Sequence, residues 1–332
     1  MDSNSAAGDG VAVSAVERIG FDVEWSPGFV SAFVVPGDEP VLVDAGMPSD
    51  DNERTLDDGL AEVSLQRRDI EHVLVTHPHV DHIGLVQSIR EGGATVYAPA
   101  SYRKRLRRPA SKVKAQAEAT VRTVGVPDEM VEYAVDSALE QRSTIRSLLR
   151  DEWVDVWVDD GGTLRLGGSE FTALSTPGHH QDHQCFVADL DAERGSERAL
   201  FSGDMAVSTF RTPVLHAYFQ PEQRAGVAAY HTALDTLSHL EVDRVYPGHG
   251  PVHSDLNAAL DTSRKSLERL CDRTEATLRE SGTHAVHVAS QRADDITSGP
   301  WLPEAVAALS HLERTGRAES YLEDGVRYYV PV

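Results

Sequence analysis

The heptapeptide Thr76-His77-Pro78-His79-Val80-Asp81-His82 places three imidazoles and one carboxylate in seven residues. Nitrogen and oxygen donors at that density suit zinc, iron or manganese. His77 and His79 flank Pro78, so extended backbone there aims both rings the same way, while Asp81 and His82 turn toward a neighbouring point. One segment can therefore feed two adjacent divalent ions. Two ions need further donors, and three occur in similar settings: His179 in STPGHHQDH, Asp204 in FSGDM and His249 in YPGHGPV. Each follows a short apolar run and lies beside a glycine, which permits the sharp turn that aims a side chain out of a sheet edge.

The elements that must position these residues are readable from hydrophobic pattern. HVLVT (72–76) is a short buried strand, and VDHIGLVQSIREGG after it carries Ile83, Val86 and Ile89 near helical spacing before a Gly-Gly stop. TVYAPA (95–100) is the next strand, so the heptapeptide sits where a parallel strand hands over to a helix, at the strand end where such sheets place functional groups. Residues from about 21 to 46 read as a hairpin that opens the sheet. Residues from about 101 to 150 are charged, glycine-poor and helical, and form an insertion. Strand patterns return from EWVDVWV to RALFSGD, followed by a helix, the strand RVYPG, and a long helix from about 256 with Leu260, Leu267, Leu270 and Leu278 on one face. The expected organisation is a flexible N-terminus over 1–20, a catalytic domain over 21–255 and a C-terminal part over 256–332.

The order VDAG, THPHVDH, TPGHH, SGD, PGHG resembles the metallo-β-lactamase superfamily over about residues 25 to 255. The resemblance implies an αββα sandwich with a dinuclear site, His77, His79 and His179 on one ion, Asp81, His82 and His249 on the other, and Asp204 bridging. It makes Asp44 in VDAG a carboxylate that orients a ligand histidine through its other ring nitrogen. His183 takes the place of the second histidine in the family's GHTxGH pattern, and a supporting role is expected of it; Gln181 and Asp182 depart from that pattern. The implied chemistry is hydrolysis, because two divalent ions lower the pKa of a shared water so that hydroxide attacks a carbonyl or phosphoryl centre. Asp81 would also orient that nucleophile.

Beyond the ligands, His216 and Tyr218 fall in a loop that borders the substrate pocket in relatives, where an exposed histidine is the default expectation. The other histidines read as surface or packing residues. YRKRLRR (102–108) is either a polyanion patch or a solvated helix face, and the second is preferred. Cys185 and Cys271 are too few for a disulfide framework and read as buried thiols. The tail carries a helix and then two strands turning at Asp324-Gly325, which resembles the small winged-helix subdomain that follows some catalytic domains of this superfamily.

With 31 basic against 53 acidic residues, the net charge is −22, which repels polyanions at long range. Nucleic acid is not an expected partner, and the tail helix PEAVAALSHLERTGR offers little charge for phosphate, so packing or a homodimer contact is expected of it. There is no apolar stretch long enough to span a bilayer and no leader-like start, so a cytoplasmic protein without a membrane partner is expected. Three activities compete. The first is hydrolysis of a small-molecule thioester, lactone or related ester, as in the glyoxalase II-like branch. The second is an endoribonuclease or phosphodiesterase of the same fold. The third is a non-hydrolytic metal-binding protein, weakened because di-iron relatives carry a glutamate where this chain has His79. The expected cofactor is a pair of divalent ions, zinc first, with iron or manganese as alternatives.

Overall fold

The structure is a computed structural model that describes residues 16–192, 195–217, 219–294 and 299–332. One sheet runs in spatial order β1 (Glu17–Asp22), β2 (Phe29–Val35), β3 (Val41–Val43), β4 (His72–Leu74), β5 (Thr95–Pro99) and β6 (Val156–Val158). Its first three strands pair antiparallel and β3 to β6 pair parallel. The second sheet contains β7 (Thr163–Leu166), β8 (Ser169–Ser175), β9 (Gln184–Ala192), β10 (Gly195–Gly203) and β11 (Arg244–Pro247) in that order, antiparallel except for the β10–β11 pair. β1 begins inside the segment expected to be flexible: Ile19 and Phe21 alternate inward and register against β2, so the sheet starts four residues before position 21. The rest of that expectation, residues 1–15, lies outside the described residues.

β2 shows why the two sheets stack. Its apolar residues are buried on both faces: Phe33 and Val35 point into the space between the sheets, and Val30, Ala32 and Val34 point outward to helices. Between the sheets, Phe33, Val43 and Leu74 meet Phe171, Phe186, Phe201 and Tyr246, with Phe201 stacked on Tyr246 at 5.2 Å. Each such fully buried side chain contributes about 1.5–3 kcal/mol relative to exposure. Outside the first sheet lie α1 (Asp50–Glu62), α2 (Val80–Ile83) and α3 (Val86–Glu91), which bury Leu56, Leu60, Ile83, Val86 and Ile89 against Leu42, Val73 and Val96.

The insertion comprises α4 (Ala100–Leu106), α5 (Ala110–Thr123) and α6 (Asp128–Leu148). Outside the second sheet, α7 (Gly226–Leu237) and α8 (Leu256–Glu275) cover Val187, Leu200 and Val245 with Tyr230, Leu234, Leu260 and Leu267. The architecture is thus αββα. The tail continues with α9 (Ala285–Ser290), α10 (Trp301–Arg314) and a hairpin of β12 (Ala318–Glu323) and β13 (Val326–Pro331), whose turn residues Asp324 and Gly325 both have positive φ, as a two-residue primed turn requires.

α10 is packed from two sides. Ala307, Ala308 and Leu312 join the cluster over the second sheet, while Leu302 and Leu309 join a second cluster with Val121 of α5 and Val131 and Val135 of α6. Residues 302–310 are all buried, so this helix is core. No helix among the described residues is long and apolar enough to cross a membrane.

Candidate metal centre

Five strands deliver chemistry at one edge. Asp44 follows β3, the heptapeptide follows β4, His179 follows β8, Asp204 follows β10 and His249 follows β11. In the heptapeptide, extended backbone persists through His79, the residue that precedes α2 with φ −81° and ψ 151°, and helix begins at Val80. That change of conformation separates His77 and His79 from Asp81 and His82. Two glycines make room for the assembly. A Cβ at Gly203, where φ is +48°, would lie 2.6 Å from His183 Nε2, and one at Gly248 would lie 2.6 Å from His82 Cε1 and 2.9 Å from Asp204 Oδ1.

The side chains gather into two abutting groups. In the first, His79 Nδ1 lies 3.0 Å from His77 Nε2 and 2.9 Å from His179 Nε2, which in turn lies 3.1 Å from Asp204 Oδ2. In the second, His249 Nε2 lies 3.4 Å and His82 Nε2 3.9 Å from Asp81 Oδ2. Asp204 faces both groups, since its Oδ1 is 3.1 Å from His82 Nε2 and its Oδ2 is 3.5 Å from His249 Nε2. Within each group the donor atoms all lie within 4.8 Å of one another.

Behind the rings, hydrogen bonds fix the tautomers. His179 Nδ1 donates to the Pro213 carbonyl, His249 Nδ1 to the Phe29 carbonyl and His82 Nδ1 to Asp44 Oδ2, each at 2.8 Å. Each leaves a lone pair on Nε2, directed into the site. Asp44 also accepts from the Thr76 hydroxyl through Oδ2 and from the Thr76 backbone N–H through Oδ1, both at 2.8 Å. Because the Thr76 hydroxyl spends its proton on Asp44, its oxygen accepts from His77 Nδ1 at 3.0 Å. One carboxylate therefore sets His82 directly and His77 by relay. Asp44 holds this position with φ 61°, a left-handed conformation that aspartate tolerates better than most residues.

Burial holds His77, His79 and His179 below the ordinary histidine range, His79 down to about 3, with neighbouring histidines adding to the effect on His77 and His79. These three rings are neutral donors at neutral pH. His82 and His249 are also pushed down by burial, but Asp204 with Asp44 and Asp81 overrides it for His82, and Asp204 with Asp81 for His249, so both protonate more readily than usual. Those protons occupy the positions a cation would take, so ion uptake would release them. His82 Nε2 and Asp204 Oδ1, although 3.1 Å apart and buried, make no hydrogen bond. Five imidazoles and two carboxylates whose donor atoms converge, two of them buried without a hydrogen-bond partner, are compatible with divalent metal ions.

Around these groups lie supporting residues, of which the chain's pattern pointed only to His183. His183 accepts the Asp204 N–H on Nε2 at 3.1 Å and donates from Nδ1 to Thr176 Oγ1 at 2.8 Å, which anchors the turn that presents Asp204. His180 belongs to neither group, yet its ring packs 4.8 Å from that of His79 and its Nε2 accepts from Arg105 Nη2 at 2.8 Å. Arg105, which also lies 2.6 Å from Asp182, comes from the YRKRLRR stretch. Arg103, Lys104 and Arg107 form the solvated face that was expected, whereas Arg105 and Arg108 are half-buried and paired. Arg103 and Arg107 both meet Asp151, and Arg108 donates to Gln116 and Gln220. The only pattern signal is that Arg105 borders the buried Tyr102–Leu106 stripe of α4. His216 is buried, not exposed as expected, with its N–H donating to the His179 carbonyl at 2.6 Å, and burial pushes its pKa down to about 4. Tyr218 lies outside the described residues.

A family model described as the metallo-beta-lactamase superfamily matches residues 25–249. "Probable metallo-hydrolase YqjP" of Bacillus subtilis is 27% identical over 75% of this chain and 74% of its own length. An "Atrochrysone carboxyl ACP thioesterase" of Aspergillus fumigatus is 29% identical over 38% of this chain, and the match spans only 26% of that protein. Among solved structures, a metallo-beta-lactamase family protein of Thermus thermophilus superposes with a TM-score of 0.75 at 22% identity, covering 96% of this chain and 99% of the other, which shows the shared fold. With the family model covering more than half of the chain and a sandwich that carries its donors at the strand ends, the chain belongs to the metallo-β-lactamase superfamily.

Proposed function

We propose that this metal-dependent hydrolase cleaves a small thioester, lactone or related ester at a dinuclear centre. The observation that carries the reading is the pair of abutting donor groups that share Asp204. His77, His79, His179 and Asp204 would hold one divalent ion, and Asp81, His82, His249 and Asp204 the other, with zinc the first choice for imidazole-rich sites. Such a pair supplies a water acidic enough to act at neutral pH and a positive pole for the substrate oxygen. The chain's own residues do the rest. Asp204 faces both groups and would set their spacing, and Asp81, with one oxygen turned to His249, would have the other to accept a hydrogen bond from the attacking water. Asp44 and Thr76 keep the lone pairs of His82 and His77 aimed inward.

An external nucleophile fits the rest of the chain. Burial pushes the Cys185 thiol up to about 12 and the Cys271 thiol up to about 11, so neither supplies a thiolate. The acyl-ester reading is further supported by relatives named as thioesterases in Aspergillus fumigatus and Aspergillus chevalieri. It also gains from the buried state of α10 and from the pairing of Arg103, Arg105 and Arg107 with Asp151 and Asp182, which offsets the α4 charge that a polynucleotide would use. The test is metal analysis followed by a panel of acyl thioesters, lactones, β-lactams, phosphodiesters and RNA. The expected result is thioester or lactone hydrolysis that chelation abolishes and zinc restores. Turnover of RNA or phosphodiesters alone would overturn the reading.

A further inference from the structure

We propose that the chain carries a second ligand site, separate from the metal centre, that takes a small apolar carboxylate of about six to eight carbons. A cavity of about 200 Å³ opens where the insertion meets the tail. Thr120 of α5 and Val124 just beyond it form one wall, and Ala285, Val306 of α10 and Tyr329 of β13 form the other. None of the seven metal-centre donors lines it. A dry cavity of about 150 Å³ holds a benzene ring, so this one has room for a ring with a substituent or for a short acyl chain.

One end of the cavity is cationic. Arg224 and Arg327 both line it, and both turn to the same carboxylate. Arg224 Nη2 lies 2.7 Å from Glu313 Oε2, and Arg327 Nη1 lies 4.0 Å from Glu313 Oε1. Arg224 Nε donates to Ser310 Oγ at 3.1 Å and Arg327 Nη1 donates to Ser320 Oγ at 2.7 Å. Two guanidiniums against one carboxylate leave an excess of one positive charge, and Arg314 adds another beside Arg224 and Glu313. This is a local exception on a chain of net charge −22. Arg327 Nε is buried and has no hydrogen-bond partner. Arg224 and Arg327 carry guanidinium N–H donors beyond those directed at Ser310, Glu313 and Ser320, and a guanidinium pairs with a carboxylate in fork geometry. Apolar walls with a cationic end describe the complement of an amphipathic monoanion, whereas a neutral apolar ligand would leave the excess positive charge unmatched.

The probes are octanoate and benzoate, with octan-1-ol as the neutral control. Each is titrated calorimetrically into the full-length protein, both metal-loaded and after chelation, because carboxylates also bind open metal sites. The expected result is saturable one-to-one binding of octanoate that survives chelation, with octan-1-ol about tenfold or more weaker, the worth of one charge-assisted hydrogen bond. Thr120→Trp, on the half-exposed face of α5, fills the cavity and is expected to abolish the binding; Arg327→Gln, which keeps the fold of the hairpin, is expected to weaken it about tenfold. Absence of saturable carboxylate binding up to millimolar concentrations overturns the proposal, as does binding that disappears with the metal or persists unchanged in both variants. Because the decisive measurement is made without metal, its failure is distinct from a failure of the hydrolase reading.

Discussion

Replacing Asp44 by asparagine probes the hydrogen-bond chain behind both donor groups. Asparagine keeps the volume and tolerates the left-handed backbone at this position, so the turn should persist. Its carbonyl oxygen can still accept the Thr76 N–H, but its amide then faces the Nδ1–H of His82 and the Thr76 hydroxyl, both now 2.8 Å from a carboxylate oxygen. Donor would face donor. His82 relieves the conflict by moving its proton to Nε2, where it masks the lone pair that points at the second group. Losing a hydrogen bond to a charged acceptor costs about 1.5–3 kcal/mol, or about 10- to 150-fold in affinity, in line with the 10- to 100-fold typical of ligand-supporting residues. His77 is affected only through Thr76 Oγ1, so its group should weaken by about tenfold or less. Competitive metal titration resolves the two steps. Thr76→Val supplies the complement, since it removes the relay and leaves the His82–Asp44 contact. Wild-type affinity at both steps in Asp44→Asn, or a larger loss at the His77 group than at the His82 group, would refute the reasoning.

Asp204→Ala removes the one carboxylate that faces both groups, and is expected to abolish turnover and to lower the metal content below two ions per chain; mass spectrometry and rates on the soluble variant check this. Arg105→Met should leave Asp182 buried without its cation and cost about 3 kcal/mol in urea unfolding, with the first metal step weakened more than the second because His180 packs on His79. Glu304→Gln breaks a buried cluster in which Glu304 lies 2.6 Å from Arg211 and 3.2 Å from Arg292, and is expected to cost about 3 kcal/mol at neutral pH. Burial alone would raise the Glu304 pKa, but Arg211 and Arg292 hold it below the ordinary range, so its contribution is complete above the unfolded carboxylate range and fades as pH falls through the folded value. The difference between wild type and variant in urea midpoint should therefore shrink in acid, and a constant difference would contradict the assignment.

The donor set was legible because its chemistry is local. His77, His79, His179, Asp204 and His249 each stand at the end of a short apolar run, and a glycine neighbours three of those ends, so residue type and spacing carried the information. What escaped was set by contacts distant in sequence. Arg105 and His180 are 75 positions apart, and a guanidinium in an arginine-rich stretch reads as solvated until a fold supplies Asp182 beside it. Glu304 likewise has no local sign of its partner, since Arg211 is 93 positions away. β1 was a different kind of miss. Its alternation of Ile19 and Phe21 with Arg18, Gly20 and Asp22 is a strand pattern in the sequence itself, obscured by the polar residues that precede it.

The tail reads differently once its contacts are counted as chemistry. Helix, helix and hairpin occur in the expected order, yet α10 buries apolar residues against the second sheet on one side and against α5 and α6 on the other. Glu304, on the same helix, accepts from the Val214 N–H at 3.3 Å, and Gln223 donates to the Val214 and Pro303 carbonyls at 2.9 Å each. The backbone so gripped is the segment whose Pro213 carbonyl accepts from His179 Nδ1 and whose His216 N–H donates to the His179 carbonyl. The insertion reaches the next residue of the chain, His180, through Arg105 of α4. His179 and His180 are thus held by the tail and the insertion, elements that the chain adds around the sandwich, and α5 and α6 of the insertion share one apolar cluster with α10. Because packed clusters resist small displacements more strongly than a surface loop does, this arrangement stiffens the one histidine of the first group that the heptapeptide cannot position.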